Sequence, residues 1–468
     1  MSVTLQEEKR LNYEDQLLKD NPNLPFGHVP DLLQVYRQLA QSTDAVPKGI
    51  FAKKFSTLPL PRGISNSRHF CYMNAVLQAL LFTPPFAQLL VAAVKESERC
   101  PNCAALGKWF LQYWQPGFTR IVVQPPVLPC FQRNLLPAAH FGTEGLMDGS
   151  VQQDAQEYLL RLLHVVSDEL IALEKHVREA MAKGRKKKNN GADDDDESGG
   201  GWTVIKGKEK LNVREHAFAE GSSALLANVF GGLTESHLKG KKKNKDHVSV
   251  TVQPFFTLEV DYKDGFPQGN RSSPLDIEKA LLTTFREEKI EDAKSGQMLT
   301  KTVFLKTLPC VLLLQLKRFS YNISPYDGSV TCTKDNVRFD VKRTLVIPKA
   351  LCSNQTLSAE ARTYKLLSVI AHLGSEQVTG HYTCYLANNF ANPDHVAATR
   401  GGGGAGPSAL AGGSPPPGDV VGANVVVKQS RRGRKKKCRS RGHEHLVELS
   451  TAATYSQRGG GFSSTGGL

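Results

Sequence analysis

The sequence predicts an α+β fold, with a helical first half followed by a strand-rich second half. Three observations carry this. Up to about residue 173, apolar residues recur at helical spacing. After Trp202 they alternate, as strand residues do. Between the two regimes lies KGRKKKNNGADDDDESGGG, residues 183–201, a cation block beside an anion block with no apolar area to bury. That stretch reads as a disordered insertion.

In chain order, Leu32, Leu33, Val35, Tyr36 and Leu39 fall at helical spacing within an N-terminal extension, residues 1–58, that is otherwise broken by Pro and Gly. Ala75 to Leu81 reads as a helix with Val76, Leu77, Leu80 and Leu81 on one face. It stops at Thr83-Pro84-Pro85, because proline cannot continue the hydrogen-bond ladder. Asp154 to Leu173 reads as a longer amphipathic helix, with Leu159, Leu160, Leu163, Val166 and Leu170 inward. Strands are expected over 248–252, 255–260, 311–319 and 364–372, with a short helix at Ile277 to Phe285. A folded domain interrupted by that insertion is therefore placed at 59–398. Residues 399–468, opening on GGGGAGPSALAGGSPPPG after Thr399-Arg400, form a low-complexity basic region that replaces or interrupts the end of that domain and has little to pack.

The composition excludes a collagen-like chain, a coiled coil and a wholly disordered protein: 40% of the 468 residues are hydrophobic, and the 40 glycines and 25 prolines concentrate in a few segments. The first residues, MSVTLQEEKR, carry no apolar secretory run, and no stretch is long enough to span a bilayer. The expectation is a soluble, cytoplasmic chain, with a nuclear location suggested by the basic tail.

The net charge of +14 sits in three runs: five cations in Lys183–Lys188, five in Lys239–Lys245 and eight in Arg431–Arg441, against five acidic residues in Asp193–Glu197. The remainder is nearly neutral, so nucleic-acid binding by the core is not expected. The tail run Arg431–Arg441 is a candidate for nonspecific polyanion or RNA contact; it lacks the interleaved aromatics of a base-stacking surface. Nine cysteines without regular spacing argue for reduced thiols and raise the question of a reactive one.

Cys71 stands just before the helix at 75–81, where free backbone N–H groups and the helix dipole favour a thiolate. Asn66, five residues upstream, carries an amide donor suited to an oxyanion. A buried structural cysteine is the alternative reading. For a base, His381 in Gly380-His381-Tyr382 follows a strand and a glycine-bounded loop, which keeps it accessible; His372, inside the preceding strand, reads as a packing residue.

Four segments in order resemble the ubiquitin-specific protease family. They are Gly63-Ile64-Ser65-Asn66 with Cys71-Tyr72-Met73-Asn74 and Leu77-Gln78-Ala79-Leu80, then Gln152 to Leu159 (QQDAQEYL), then Leu308-Pro309-Cys310-Val311-Leu312 through Leu316-Lys317-Arg318-Phe319, then Gly380-His381-Tyr382. The resemblance implies a papain-like fold with a helical thumb and a strand-rich palm and fingers. It implies a thiol-dependent deubiquitinase that hydrolyses the isopeptide bond after the C-terminal glycine of ubiquitin. Cys71 would be the nucleophile, His381 the base and Asn66 the oxyanion donor. Asp154 and Glu157 would face the basic tail of ubiquitin, and Tyr382 would line the channel for its Gly-Gly end. Ubiquitin and ubiquitinated proteins are the implied partners. The alternative is a catalytically impaired ubiquitin-binding pseudoenzyme.

The chain departs from the family pattern in three places. Arg68-His69-Phe70 replaces the small residues that usually precede the cysteine. No Trp…Asp-Asp segment follows the histidine box, leaving Asp394 or Asp419 as candidates for the residue that orients His381, or no such residue. The paired Cys-x-x-Cys sites of the fingers are missing between Phe230 and Tyr262, and Cys100-Pro-Asn-Cys103 stands alone, so neither a metal nor another cofactor is expected.

Overall fold

The computed structural model describes residues 16–387 and 452–457, except 18, 22–23, 42–49, 53, 57–60, 67, 116–121, 133–151, 187–211, 216–221, 243–244, 264–273, 293–295, 336 and 375–379.

The helical half comprises α1 (Leu32–Gln41), α2 (Cys71–Leu81), α3 (Pro84–Ala92), α4 (Pro101–Trp114), α5 (Ala155–Lys186) and α6 (Ala224–Phe230). The prolines that end α2 also begin α3, as Pro101 begins α4, because the first turn of a helix has no use for a proline N–H. Reading Pro84-Pro85 only as a stop therefore overlooks the helix they start. At the far end, α5 runs on to Lys186, past the point where the insertion was expected to begin. Ala180, Met181 and Ala182 are strong helix formers, and Lys183, Arg185 and Lys186 sit at the terminus whose dipole favours cations. Residues 187–201 of that insertion lie outside the described residues.

Two short strands, β1 (Gly63–Ile64) and β2 (Val122–Val123), pair in parallel beside these helices. The strand-rich half holds two larger sheets. One is ordered β3 (Asn212–Glu215), β5 (Lys245–Phe255), β4 (Gly232–Lys242), β9 (Met298–Thr307), β8 (Glu288–Glu291). The other is ordered β14 (Thr344–Val346), β15 (Thr363–Leu373), β17 (Ala452–Gln457), β10 (Val311–Leu316), β6 (Thr257–Val260), with β16 (His381–Leu386) also on β15. Two small pairs complete the set: β7 (Leu275–Asp276) with β13 (Phe339–Asp340), and the hairpin β11 (Phe319–Ile323) with β12 (Val330–Lys334). Helix α7 (Ile277–Thr284) is capped by Asp276, whose carboxylate accepts the Glu278 N–H at 2.7 Å.

The apolar run of β10 is explained by burial on both faces. Val311 and Leu313 join the core shared with α2 to α6, whereas Leu312, Leu314 and Leu316 join a second core with α7 and β14. β15 divides likewise, with Leu367 and Ile370 on the helical side and Leu366 and Val369 on the other.

The central place in this sheet goes to β17, antiparallel to both β10 and β15. Six residues beyond the glycine-rich stretch thus pack in the sheet, a departure from the expectation of a tail with little to pack. The sequence Ala452-Ala453-Thr454-Tyr455-Ser456-Gln457 lacks the β-branched alternation that marks the other strands, and its place depends on two partners distant in sequence.

Candidate active site

The start of α2 is fastened to the segment before it by its own polar face. Asn74 Nδ2 donates to the carbonyls of Ser65 (3.0 Å) and Ile64 (3.4 Å). One turn on, Gln78 Nε2 donates to the Arg62 carbonyl (3.2 Å) and the Tyr113 hydroxyl (2.9 Å). This holds Asn66 beside the first turn, where its Oδ1 accepts the Phe70 N–H at 3.1 Å. With Oδ1 so engaged, Nδ2 remains as the donor group of that side chain.

Cys71 is the first residue of α2 and is 6% exposed. The backbone amides of Tyr382, Tyr72 and Cys71 itself favour its thiolate, but burial outweighs them and pushes the thiol above its ordinary value. The expectation of a lowered thiol from helix placement alone is therefore corrected: burial raises it despite these amides. His381, the first residue of β16, is half-buried, and burial lowers its imidazole below the usual range.

The strand carrying His381 is fixed by its neighbour. Tyr382 is 2% exposed, and its hydroxyl donates to Asp154 Oδ2 at 3.3 Å. The other oxygen of Asp154 caps α5, accepting the N–H groups of Gln156 (2.8 Å) and Glu157 (3.1 Å). Burial nevertheless raises the Asp154 carboxyl above its ordinary value. His372, directly opposite Tyr382 in the ladder, is buried with its ring 4.6 Å from the Tyr382 ring, the packing place expected for it.

The structure thus joins Cys71, Tyr382 and Asp154, sets His381 beside Tyr382 at the start of β16, and places Asn66 at the edge of the same helix start as Cys71. Glu157 is engaged elsewhere: its Oε1 meets Nη2 of the buried Arg161 at 2.8 Å, one turn along α5. Asp394 and Asp419 lie outside the described residues. The sequence did not reveal the Tyr382–Asp154 bond, because the two residues are 228 positions apart and neither lies in a pattern that names the other.

Cys100 and Cys103 are fully buried at the start of α4. Glu169 of α5 caps that helix, accepting the Asn102 and Cys103 N–H groups at 2.9 Å each, and the Cys100 thiol donates to the Glu169 carbonyl at 3.5 Å. Among the described residues there is no group of three or more His, Cys, Asp or Glu placed to hold a metal ion.

The model of the ubiquitin carboxyl-terminal hydrolase family matches residues 62–400, a span that contains every one of these site residues. The chain belongs to this family. Ubiquitin carboxyl-terminal hydrolase 24 of Arabidopsis thaliana is 29% identical over 387 residues, covering 78% of this chain and 64% of the relative. Ubiquitin carboxyl-terminal hydrolase 10 of Rattus norvegicus is 26% identical over 357 residues, covering 69% of this chain and 43% of the relative. A solved SAGA DUB module bound to monoubiquitin is 20% identical with a TM-score of 0.44, covering 70% of this chain and 62% of that one. This member of the family therefore spans between 43% and 64% of the length of these curated relatives.

Proposed function

We propose that the protein is a cysteine deubiquitinase that cleaves the isopeptide bond after the C-terminal glycine of ubiquitin. The observation that carries this reading is the Tyr382 backbone amide facing the Cys71 sulfur, which sets His381 one residue away from the nucleophile. Because the thiol is raised and the imidazole lowered, proton transfer accompanies attack. Cys71 Sγ adds to the carbonyl carbon as His381 takes its proton. Asn66 Nδ2 donates to the oxyanion, and His381 returns the proton to the departing lysine amine. A water, deprotonated by His381, then opens the thioester and regenerates the thiol.

Asp154 and Tyr382 flank the path of the ubiquitin tail in this reading, with Glu157 further along the surface of α5. Asp394 and Asp419 remain the candidates for orienting His381. The basic run Arg431–Arg441 is the candidate for polyanion contact and for a nuclear share of a cytoplasmic protein. Salt-dependent RNA binding, lost on deleting 428–442, would support the contact.

Hydrolysis of a fluorogenic ubiquitin C-terminal conjugate tests the assignment, with Cys71→Ser and His381→Ala alongside. Turnover abolished by both substitutions supports it, and turnover surviving Cys71→Ser overturns it. No turnover by the parent chain, with ubiquitin still bound, would favour the pseudoenzyme reading instead.

A further inference from the structure

We propose that Lys334, at the end of β12, is a positioning residue for His381. The inference rests on the hydrolase reading of the Cys71–His381 pair. Near its end β15 pairs with β16, and Leu373 lies directly opposite His381. The carbonyls of His372 and Gly374, on either side of Leu373, are taken by one ammonium: Lys334 Nζ donates to His372 O at 2.9 Å and to Gly374 O at 2.6 Å. One cation thus ties the two carbonyls that flank Leu373 to the base of the β11–β12 hairpin.

The base of the β11–β12 hairpin is rigid enough to transmit this. Asp335, next to Lys334, donates its N–H to the Arg318 carbonyl at 2.9 Å, and Arg318 Nη1 donates to the Asp335 carbonyl at 2.9 Å. Arg318 is 2% exposed and lies over the Phe339 ring, while Phe319 packs near His372 with ring centroids 6.1 Å apart. Gly380 lies close against Leu373, since a methyl group on it would come within 2.3 Å of the Leu373 carbonyl. A displacement of Leu373 is therefore passed to Gly380 and His381. Misplacing a base by about an ångström costs on the order of 100-fold in rate without a matching loss of binding.

The test compares Lys334→Met, Lys334→Gln and Lys334→Arg in the full chain with the fluorogenic ubiquitin conjugate, beside hydrogen exchange at residues 372–382. Expected for Lys334→Met is a fall in kcat of at least ~10-fold with KM changed less than ~3-fold. Lys334→Arg, which keeps two donors, should stay within ~3-fold of the parent, and Lys334→Gln should fall between. Exchange at the Leu373 and His381 amides should quicken in Lys334→Met but not in α6. Equal kcat across the series, or a loss that follows the fraction unfolded, overturns the proposal. If the parent chain itself does not turn over, the hydrolase reading fails, and exchange alone decides whether Lys334 holds the strand end: unchanged exchange overturns that as well.

Discussion

The Tyr382 hydroxyl donates to Asp154 Oδ2 at 3.3 Å, linking the strand that carries His381 to the cap of the longest helix. One carboxylate thus serves two elements, since its other oxygen accepts two N–H groups of the first turn of α5. The Tyr382 backbone amide faces the Cys71 sulfur, so α2, α5 and β16 meet at a single residue.

Removing the hydroxyl should loosen that junction. Tyr382→Phe is expected to destabilise by about 1–2 kcal/mol, the cost of a buried acceptor losing a donor. The hydroxyl holds the Asp154 carboxyl down, so the variant should raise that carboxyl further. Thermal unfolding across pH, combined with KM for the ubiquitin conjugate, checks both effects.

Asp154→Asn should behave differently, because asparagine caps a helix nearly as well as aspartate. The Asp154 carboxyl is raised from 3.8 on folding, so the native state holds its proton more tightly than the unfolded chain does. Its contribution is then most favourable below 3.8 and declines as pH rises through the folded value. At pH 7 the variant should melt at or above the parent temperature, and its advantage should shrink toward pH 4. In the proposed function it should also raise KM by roughly 10-fold, since a charge facing the basic ubiquitin tail is lost. A variant that melts well below the parent at pH 7 would show that the cap needs the charge.

The resting protonation of the site sets a pH signature. With the thiol raised above 9.0, alkylation of Cys71 by iodoacetamide should be slow at pH 7 and climb through alkaline pH, with no plateau near neutrality. With His381 lowered below 6.5, the acid limb of kcat/KM should lie on the acid side of that value. A fast, pH-independent alkylation between pH 6 and 8 would instead indicate a thiolate–imidazolium pair.

Gly380 has φ +136°, in the region that favours glycine, and an added methyl group would meet both the Leu373 carbonyl and the His372 ring. Gly380→Ala should cost about 1–3 kcal/mol and move His381 relative to Leu373. Turnover should fall by about 100-fold in a chain that still folds. Circular dichroism and steady-state kinetics on one preparation check this together.

A chain ending at Thr451 lacks β17 and leaves β10 and β15 without the strand between them. Exposed strand edges in the middle of a sheet invite association with other chains, so this truncation should be insoluble or oligomeric beside a monodisperse full chain. Size-exclusion chromatography distinguishes the outcomes.

Much of the fold was legible because burial writes a period into the sequence. Val76, Leu77, Leu80 and Leu81 marked α2, and the apolar residues of 311–319 marked the strand β10, though not its burial on both faces. The helices α3 and α4 escaped notice, because Pro84 and Pro101 serve as well at a helix start as at a helix stop. Of the site, Cys71, Asn66 and His381 could be named from local context and order along the chain.

By itself, then, the sequence determined the order of the family-like segments and where helix gives way to strand, since both are written along the chain. Tertiary structure alone decided the burial of Cys71, which pushes its thiol up. It decided the double duty of Asp154 and the place of residues 452–457 between β10 and β15. Each of these depends on groups brought together from distant parts of the chain, and desolvation and long-range pairing leave no period for a sequence to display.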